Sequence, residues 1–306
     1  MKKFTIFLIL IFYLSSVLII AQDDSNQKKH KHKLFDFNNF IFWDGSYNPF
    51  IEINYGVGNI RFDDFSDPFK EIGNLQIKLG HSTIDSYDES ILEYDQNFLS
   101  LSTYSDRLKS SNTDNLIRTD SWQFGFGERT GYGYSFGKIA LIPYSQRSIT
   151  WTKLIVTDNY YKNVLANPGE ILNPDKNSFD PFANALNRFN ESFRFGTSAE
   201  GGINFQMGSL VTIGAGYEFN TVYPRVQFWK AAGSLVLEET AQGLVSQFVD
   251  EIMDNSPTAG PIVSFFLKNG LAFAYYSLTK SDMNWPFATE VPLTYETFKI
   301  NLGFTF

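Results

Sequence analysis

Beyond residue 49 the chain alternates apolar and polar side chains with a period of two. This alternation predicts β-strands, because successive side chains of a strand point to opposite faces. Each predicted strand therefore has one apolar face, which must be buried against protein or lipid. The clearest example is the final stretch, where the residues on the apolar face are Phe298, Ile300, Leu302, Phe304 and Phe306.

The connections between the predicted strands distinguish a barrel from a water-soluble sandwich. Tight turns alternate with long loops, and the turn signals are Gly137-Lys138, Met207-Gly208 and Asn269-Gly270. Only the connection 83–94, which falls at the tight-turn end, is too long for a tight turn. An even number of strands with tight turns at one end is typical of membrane barrels. The pattern predicts ten strands, near 49–58, 73–82, 95–105, 118–136, 139–153, 191–206, 209–223, 260–268, 271–280 and 294–306.

The composition indicates the same class. The chain of 306 residues contains 31 Phe and 16 Tyr but only 19% charged residues, which is a poor composition for a soluble surface. In hydrocarbon an open sheet would leave the N–H and C=O groups of its edges unpaired, so the strands must close. We therefore predict an all-β fold, a closed antiparallel transmembrane β-barrel of about ten strands, with eight to twelve compatible with the pattern.

At this point the chain resembles the outer-membrane β-barrel class of Gram-negative bacteria, without a specific family. The resemblance rests on the alternating tail 298–306 with its terminal aromatic residue, and on the alternation of tight turns and long loops. It implies that the five apolar tail residues form the signal by which the barrel-insertion machinery recognises its clients. It also implies residence in the cell outer membrane, in contact with outer-membrane lipid.

Two segments precede the predicted barrel. The basic pair Lys2-Lys3 and the apolar run after it predict an export signal peptide over 1–21. A transmembrane helix is the alternative, because the run is close to the minimum spanning length. Residues 22–48 are polar with a basic run, and we interpret them as an N-terminal periplasmic tether that could contact anionic headgroups. The predicted barrel then occupies 49–306.

Two helices are predicted within the long loops. An apolar stripe with a spacing of three to four residues predicts a helix over 226–254. Asp180-Pro181 predicts a shorter helix over 180–190, by the preferences for an N-cap and a first-turn proline. The stripe of the long helix must be buried. It could pack over the barrel mouth, enter the lumen or dock on a partner protein, and we expect the first arrangement.

The faces opposite the apolar ones carry the candidate functional residues. Three acids and four bases should face the lumen, and closure would place Glu52 between Lys78 and Lys299, and Glu218 opposite Arg194 or Glu200. A narrow barrel whose charges pair is expected to be filled, and the alternative is a solute path whose selectivity these charges set. The predicted lumen-lining residues are Glu52, Lys78, Arg129, Arg194, Glu200, Glu218 and Lys299.

One charged residue falls on the apolar face of its strand. Glu128 lies on the same side as Trp122, Phe124 and Phe126, where a carboxylate facing lipid would be costly. We therefore expect a bulge at Glu128, or two short strands that meet there.

The composition also limits the chemistry. With no Cys and three His, neither a metal site nor a cofactor is predicted. The outer membrane contains barrel enzymes of an omptin-like protease class and of a phospholipase class, and both need a positioned histidine as general base. Beyond the tether only His81 is present, at the end of a predicted strand. The net charge of −8 argues against a nucleic-acid partner.

The sequence thus predicts a non-enzymatic outer-membrane barrel, either a surface-binding or structural protein or a small pore for solutes. The alternative is an accessory subunit of an envelope secretion or uptake complex, docked on an envelope protein through the helix 226–254. An outer-membrane hydrolase is the third hypothesis. The expected partners of the leading interpretation are outer-membrane lipid and the barrel-insertion machinery.

Overall fold

The computed structural model describes residues 48–63, 69–109, 116–158 and 181–306. Within these ranges eight antiparallel strands pair in chain order and form a closed barrel. The strands are β1 (Asn48–Arg61), β2 (Ile72–Ser86), β3 (Ile91–Ser105), β4 (Thr119–Phe136), β5 (Ile139–Val156), β6 (Phe193–Met207), β7 (Val211–Val222) and β8 (Leu293–Thr305). The helices are α1 (Pro181–Asn187), α2 (Phe228–Asn255) and α3 (Gly260–Thr279), with a 3-10 turn at Asp106–Leu108. The predicted signal peptide 1–21 and the tether up to residue 47 lie outside the described residues.

The barrel closes between its first and last strands. Ile53 of β1 lies opposite Ile77 of β2 on one side and Leu302 of β8 on the other. Every strand therefore has two neighbours, and no strand edge is left unpaired. Closure of this kind is what a sheet surrounded by hydrocarbon requires.

Tight turns and long loops lie at opposite ends of the barrel. The tight-turn end has the connections 87–90, 137–138 and 208–210, and the long-loop end has 62–71, 106–118, 157–192 and 223–292. The connection between β2 and β3 shortens to 87–90 because both strands extend beyond their predicted limits. Gly137 and Gly208 have φ values of +72° and +64°. A residue with a Cβ rarely adopts this conformation, and glycine therefore permits both turns.

The eight strands lie within the predicted range of eight to twelve, but the best count of ten is wrong in one place. Residues 260–268 and 271–280 form the single helix α3 instead of a hairpin, and the count becomes eight. The stretch is apolar on nearly every side, so its periodicity does not separate a buried strand from a helix. Asn269-Gly270, predicted as the turn, continues the helix, and the Asn269 side chain donates to the Phe265 carbonyl. Pro261 in the first turn was the available helix signal.

The apolar faces of the strands point outward. Leu79, Leu99, Phe298 and Ile300 are each just over half exposed, between 51% and 55%. The inward positions between them are polar and buried. This distribution is the reverse of a water-soluble protein, and it matches an environment of lipid outside and polar contacts inside.

An apolar cluster closes the long-loop end of the barrel. Leu186 of α1 and the adjacent Phe189 pack there against Phe62, Phe69 and Tyr295. The ring of Phe189 meets that of Phe62 edge-on, with centroids 5.9 Å apart. The segment that contains the predicted helix 180–190 thus covers the mouth of the barrel, although residue 180 itself lies outside the described residues.

The long helix lies neither over the barrel mouth, which was the expected position, nor in the lumen, and its docking on a partner protein stays a prediction. α2, which covers nearly the same residues as the predicted helix 226–254, forms an antiparallel hairpin with α3. The hairpin lies along the outside of the barrel, where α3 contacts β4, β5, β6 and β7. None of the described helices, taken alone, is long and apolar enough to cross a membrane.

Candidate functional site

A network of ion pairs occupies the middle of the barrel interior. The Arg129 guanidinium donates to both carboxylate oxygens of Glu52, at 2.6 and 2.9 Å. The Lys78 ammonium lies 3.3 Å from Glu52 and 3.5 Å from Glu200. The Lys299 ammonium contacts Glu200 as well and lies 3.2 Å from a Glu218 oxygen. These six side chains come from six different strands, so the network ties together opposite walls of the barrel.

Amide and phenol side chains complete the network. The Gln146 carbonyl accepts from Lys78 at 2.7 Å and from Arg129 at 3.1 Å. The Tyr144 hydroxyl donates to Glu200 at 2.6 Å, and its ring lies against the Arg129 guanidinium. These uncharged members were not among the predicted lumen residues. The available signal was the period of two, because Tyr144 and Gln146 lie two residues apart and therefore share one face of β5.

The network is balanced in charge and dry. It contains three acids and three bases, and none of their side chains is more than 2% exposed. Charges taken out of water are tolerated only when opposite charges and hydrogen bonds satisfy them, as they do here. The arrangement therefore joins strands across the interior of the barrel.

The structure places the seven predicted lumen residues in two groups. Six form the central network, and Arg194 lies apart from them near the start of β6, opposite Thr152 and half-buried. The expected neighbours are found in part, because Lys78 lies beside Glu52 and Glu200 lies opposite Glu218, while Arg129 takes the place that was expected for Lys299. Arg129 and Lys78 hold Glu52, while Lys299 binds the two glutamates of β6 and β7. Glu218 lies directly opposite Glu200 in the strand register, and Lys299 bridges them.

The five residues of the predicted insertion signal lie on the outward face at the end of β8. Phe298, Ile300 and Phe306 are exposed by 51%, 55% and 70%. The backbone N–H of Phe306 donates to the Pro49 carbonyl at 2.9 Å, which adds a rung next to the β1–β8 ladder. The side chains are accessible from outside the barrel, and their role in insertion stays a prediction.

The helical hairpin covers a polar sector of the outer wall. Glu128 and Arg147 face outward directly opposite one another, near the middle of β4 and β5. The Arg147 guanidinium donates to Glu128 at 2.9 Å and to Glu239 of α2 at 2.7 Å. An uncovered pair at this height would be costly in lipid. The predicted break at Glu128 is wrong, since β4 is continuous there and the hairpin supplies the cover instead.

The outward residues of the wall beside this pair are small, and they allow α3 to approach the strands closely. A Cβ on Gly201 of β6 would come within 2.7 Å of the Asn269 side chain. Asn269 donates to the backbone carbonyl of Tyr144 at 3.1 Å. Nearer the long-loop end, the Phe219 ring of β7 stacks on Tyr276, with centroids 5.0 Å apart. Small wall residues and a polar contact therefore form a packing surface for α3.

The hairpin reaches the tight-turn end of the barrel. The Tyr134 hydroxyl donates to the Thr258 carbonyl at 2.7 Å, and Tyr87 donates to Asp254 at 2.8 Å. Burial, and next the hydrogen bond to Asp254, raise the pKa of the Tyr87 hydroxyl to about 12, so the hydroxyl remains a donor at neutral pH. Val249 and Met253 pack in the same region. The two helices thus follow most of the height of the wall.

No cluster of three or more His, Asp or Glu side chains that could hold a metal ion occurs among residues 48–63, 69–109, 116–158 and 181–306. His81 lies on the outward face of β2 opposite Asn97 of β3, away from the interior network. The chemistry available at the network is charge pairing and hydrogen bonding.

Comparisons with known proteins find similarity among solved structures. No protein-family model matches the chain, and no curated protein matches it. The chain is similar to Neisserial surface protein A, with 8% identity over 84% of this chain and 97% of that chain, and a TM-score of 0.38. It is also similar to Ail, the attachment invasion locus protein of Yersinia pestis, with 9% identity over 85% and 99% and a TM-score of 0.32. A second Ail structure, in complex with the heparin analogue sucrose octasulfate, gives 8% identity and the same coverage and TM-score. The strand ladders of this chain themselves establish the closed eight-stranded barrel.

Proposed function

We propose that this protein is a non-enzymatic barrel of the outer membrane that acts as a structural or surface-binding protein and does not conduct solutes. The central network carries the proposal. Its six charged side chains are fully buried, neutral as a group and held by short hydrogen bonds to one another. A conducting pore needs charged groups that contact water along a path, and these groups contact each other instead. The apolar cluster under the long loops supports the same conclusion.

The proposed location follows from the outer surface. Exposed apolar side chains circle the strands, and examples are Ile53, Leu101, Phe124 and Ile213. A continuous apolar belt of this kind is typical of a surface in contact with acyl chains. The closed ladder leaves no strand edge that would need water.

Single-channel recording in planar bilayers tests the closed interior. We expect the folded protein to insert without discrete conductance steps. Arg194→Ala is the matched control, because Arg194 faces inward but stands outside the network, and it should be equally silent. Emptying the centre with the double variant Arg129→Ala and Glu52→Ala should introduce openings or noise. Regular openings of the unaltered protein would contradict the proposal and favour the small-pore alternative.

The accessory-subunit alternative depends on what α2 leaves accessible. Its wall-facing side is occupied, and the most exposed of its large apolar side chains are Phe228 and Trp229, at 67% and 83%, near the long-loop end. A photo-crosslinking residue at position 229 would test this in cells. The matched control is position 136, because Phe136 is 66% exposed at the opposite end of the barrel. A protein that crosslinks in stoichiometric amount at 229, and not at 136, favours the subunit. Crosslinks to lipid alone favour the structural barrel.

A further inference from the structure

The exposed middle of the hairpin is mainly apolar, which indicates that this surface faces lipid. On α3 the exposed side chains include Ile262, Phe266 and Phe273, spaced so that they share one face. On α2 the two central acids, Glu238 and Glu239, turn toward the wall and line the space beside Arg147. The side chains that the hairpin presents outward over its central part are thus mainly apolar, and the exceptions include the exposed Thr240 and Gln247 and the half-buried Lys268.

The other charges of α2 lie near its ends. Lys230 is in the first turn, while Asp250, Glu251 and Asp254 are in the last two turns. A helix of 28 residues is about 42 Å long, compared with roughly 30 Å for the hydrocarbon layer, so both ends can reach the headgroups. The central part of the hairpin therefore lies at the depth of the hydrocarbon layer, where α3 packs on the barrel wall.

A cavity of about 260 Å³ lies between the wall and the hairpin. Along α3 it extends from Ala272 to Thr279, a length of about 10 Å at 1.5 Å per residue. Arg147, already paired with two glutamates, borders one part of it. The apolar lining comes from both sides, from Ile149, Ala199, Phe219, Leu235, Ala272 and Tyr276.

We infer that this cavity binds one hydrocarbon chain of a membrane lipid. Most of the surface that lines the cavity is apolar, although Arg147, Glu238 and Glu239 border it as well. A mostly apolar surface favours a hydrocarbon occupant over water. An empty space of this size would forfeit dispersion contacts on every side. Its volume is close to that of the smaller ligand pockets, ~300 Å³. Acyl chains are the solvent at this depth, so a chain can enter from the side.

The inference rests on the proposed membrane location, and the Ala272→Trp variant tests it. Ala272 is buried and lines the cavity, so an indole there fills the space. Ala274→Trp is the matched control, because Ala274 is exposed on the same helix. Native mass spectrometry in detergent micelles with added phosphatidylethanolamine counts the lipid bound to each barrel. We expect one lipid on the unaltered protein and on Ala274→Trp, and at least tenfold lower occupancy on Ala272→Trp.

A second variant guards against misfolding. Ala199→Leu fills the cavity from the wall side and should also lose the lipid, while heat-modifiable gel mobility verifies that each variant forms a barrel. Equal lipid retention by all four proteins would overturn the inference, as would bound detergent alone or no lipid on the unaltered protein. If the protein instead remains a stable, soluble monomer without detergent, the proposed membrane location fails as well. The two failures are therefore distinguishable.

Discussion

Replacing Arg129 with Met removes the most connected member of the interior network. Arg129 is fully buried and donates to Glu52 at 2.6 and 2.9 Å, to Gln96 at 3.1 Å and to Gln146 at 3.1 Å. Without it, three buried acids face two bases, and Glu52 keeps one cation, Lys78 at 3.3 Å, and the Asn54 amide that donates to it at 3.0 Å. Breaking a buried pair by removing one partner typically costs about 3–5 kcal/mol, and we expect the free energy of unfolding to fall by that amount.

The double variant Arg129→Met and Glu52→Gln restores equal numbers of acids and bases. We therefore expect its loss of stability to be smaller than the sum of the single losses by about 2 kcal/mol, within the usual coupling range for residues in contact. Urea titration in lipid vesicles, followed by tryptophan fluorescence, measures all variants. Arg61→Met is the control, since its pair with Glu296 is partly exposed, and it should change stability by less than about 1 kcal/mol. The reasoning would be refuted if Arg129→Met cost less than about 1 kcal/mol, or if the losses of the two single variants simply added in the double variant.

Three further changes test other parts of the molecule. Gly137→Ala puts a Cβ at φ +72° and should cost roughly 1–2 kcal/mol in the same titration; an unchanged midpoint would mean that the turn relaxes. Arg147→Leu leaves two glutamates unpaired under the hairpin, and we expect a loss of about 2 kcal/mol together with faster proteolysis of the hairpin. Phe306→Ala should slow insertion by the barrel-insertion machinery several-fold while changing the stability of the inserted barrel by less than about 0.5 kcal/mol. Phe136→Ala, at a similarly exposed aromatic residue, should insert at the normal rate.

The barrel could be predicted from the sequence because its two environments differ so strongly. Period-two alternation placed apolar residues such as Ile300 outside and charged ones such as Lys299 inside, and both lie there in the structure. Loop lengths identified the two ends, since only short turns fit between neighbouring strands on one side. Alternation shows which side chains face the lumen, but it does not show which of them meet across it. Lys78, the predicted neighbour of Glu52, lies on the adjacent strand β2, but Arg129 comes from β4, which is not adjacent to β1, and no local pattern indicates such a contact.

The helical hairpin was harder to predict, and the reason is physical. In a membrane protein an apolar segment meets lipid or protein with nearly the same affinity, so the stripe on α2 does not specify its neighbour. The outward Glu128 was the informative residue. A carboxylate at mid-wall indicates that something other than lipid covers it, and Arg147 on the facing strand had the same outward parity. Together, the two residues indicate that another part of the protein covers this wall from outside, and a break in the strand is not required.

The hairpin leaves β7 and rejoins β8 at directly opposed residues, Val222 and Leu293. All eight ladders are therefore complete without the residues between these two, and a turn of a few residues could connect them. The topology of the barrel does not require the insertion, but the chemistry of its wall does, since a shortened chain would expose Glu128 and Arg147 to acyl chains. Shortening the chain at this point would have to be accompanied by apolar replacements at both positions, so the polar pair commits the barrel to its insertion.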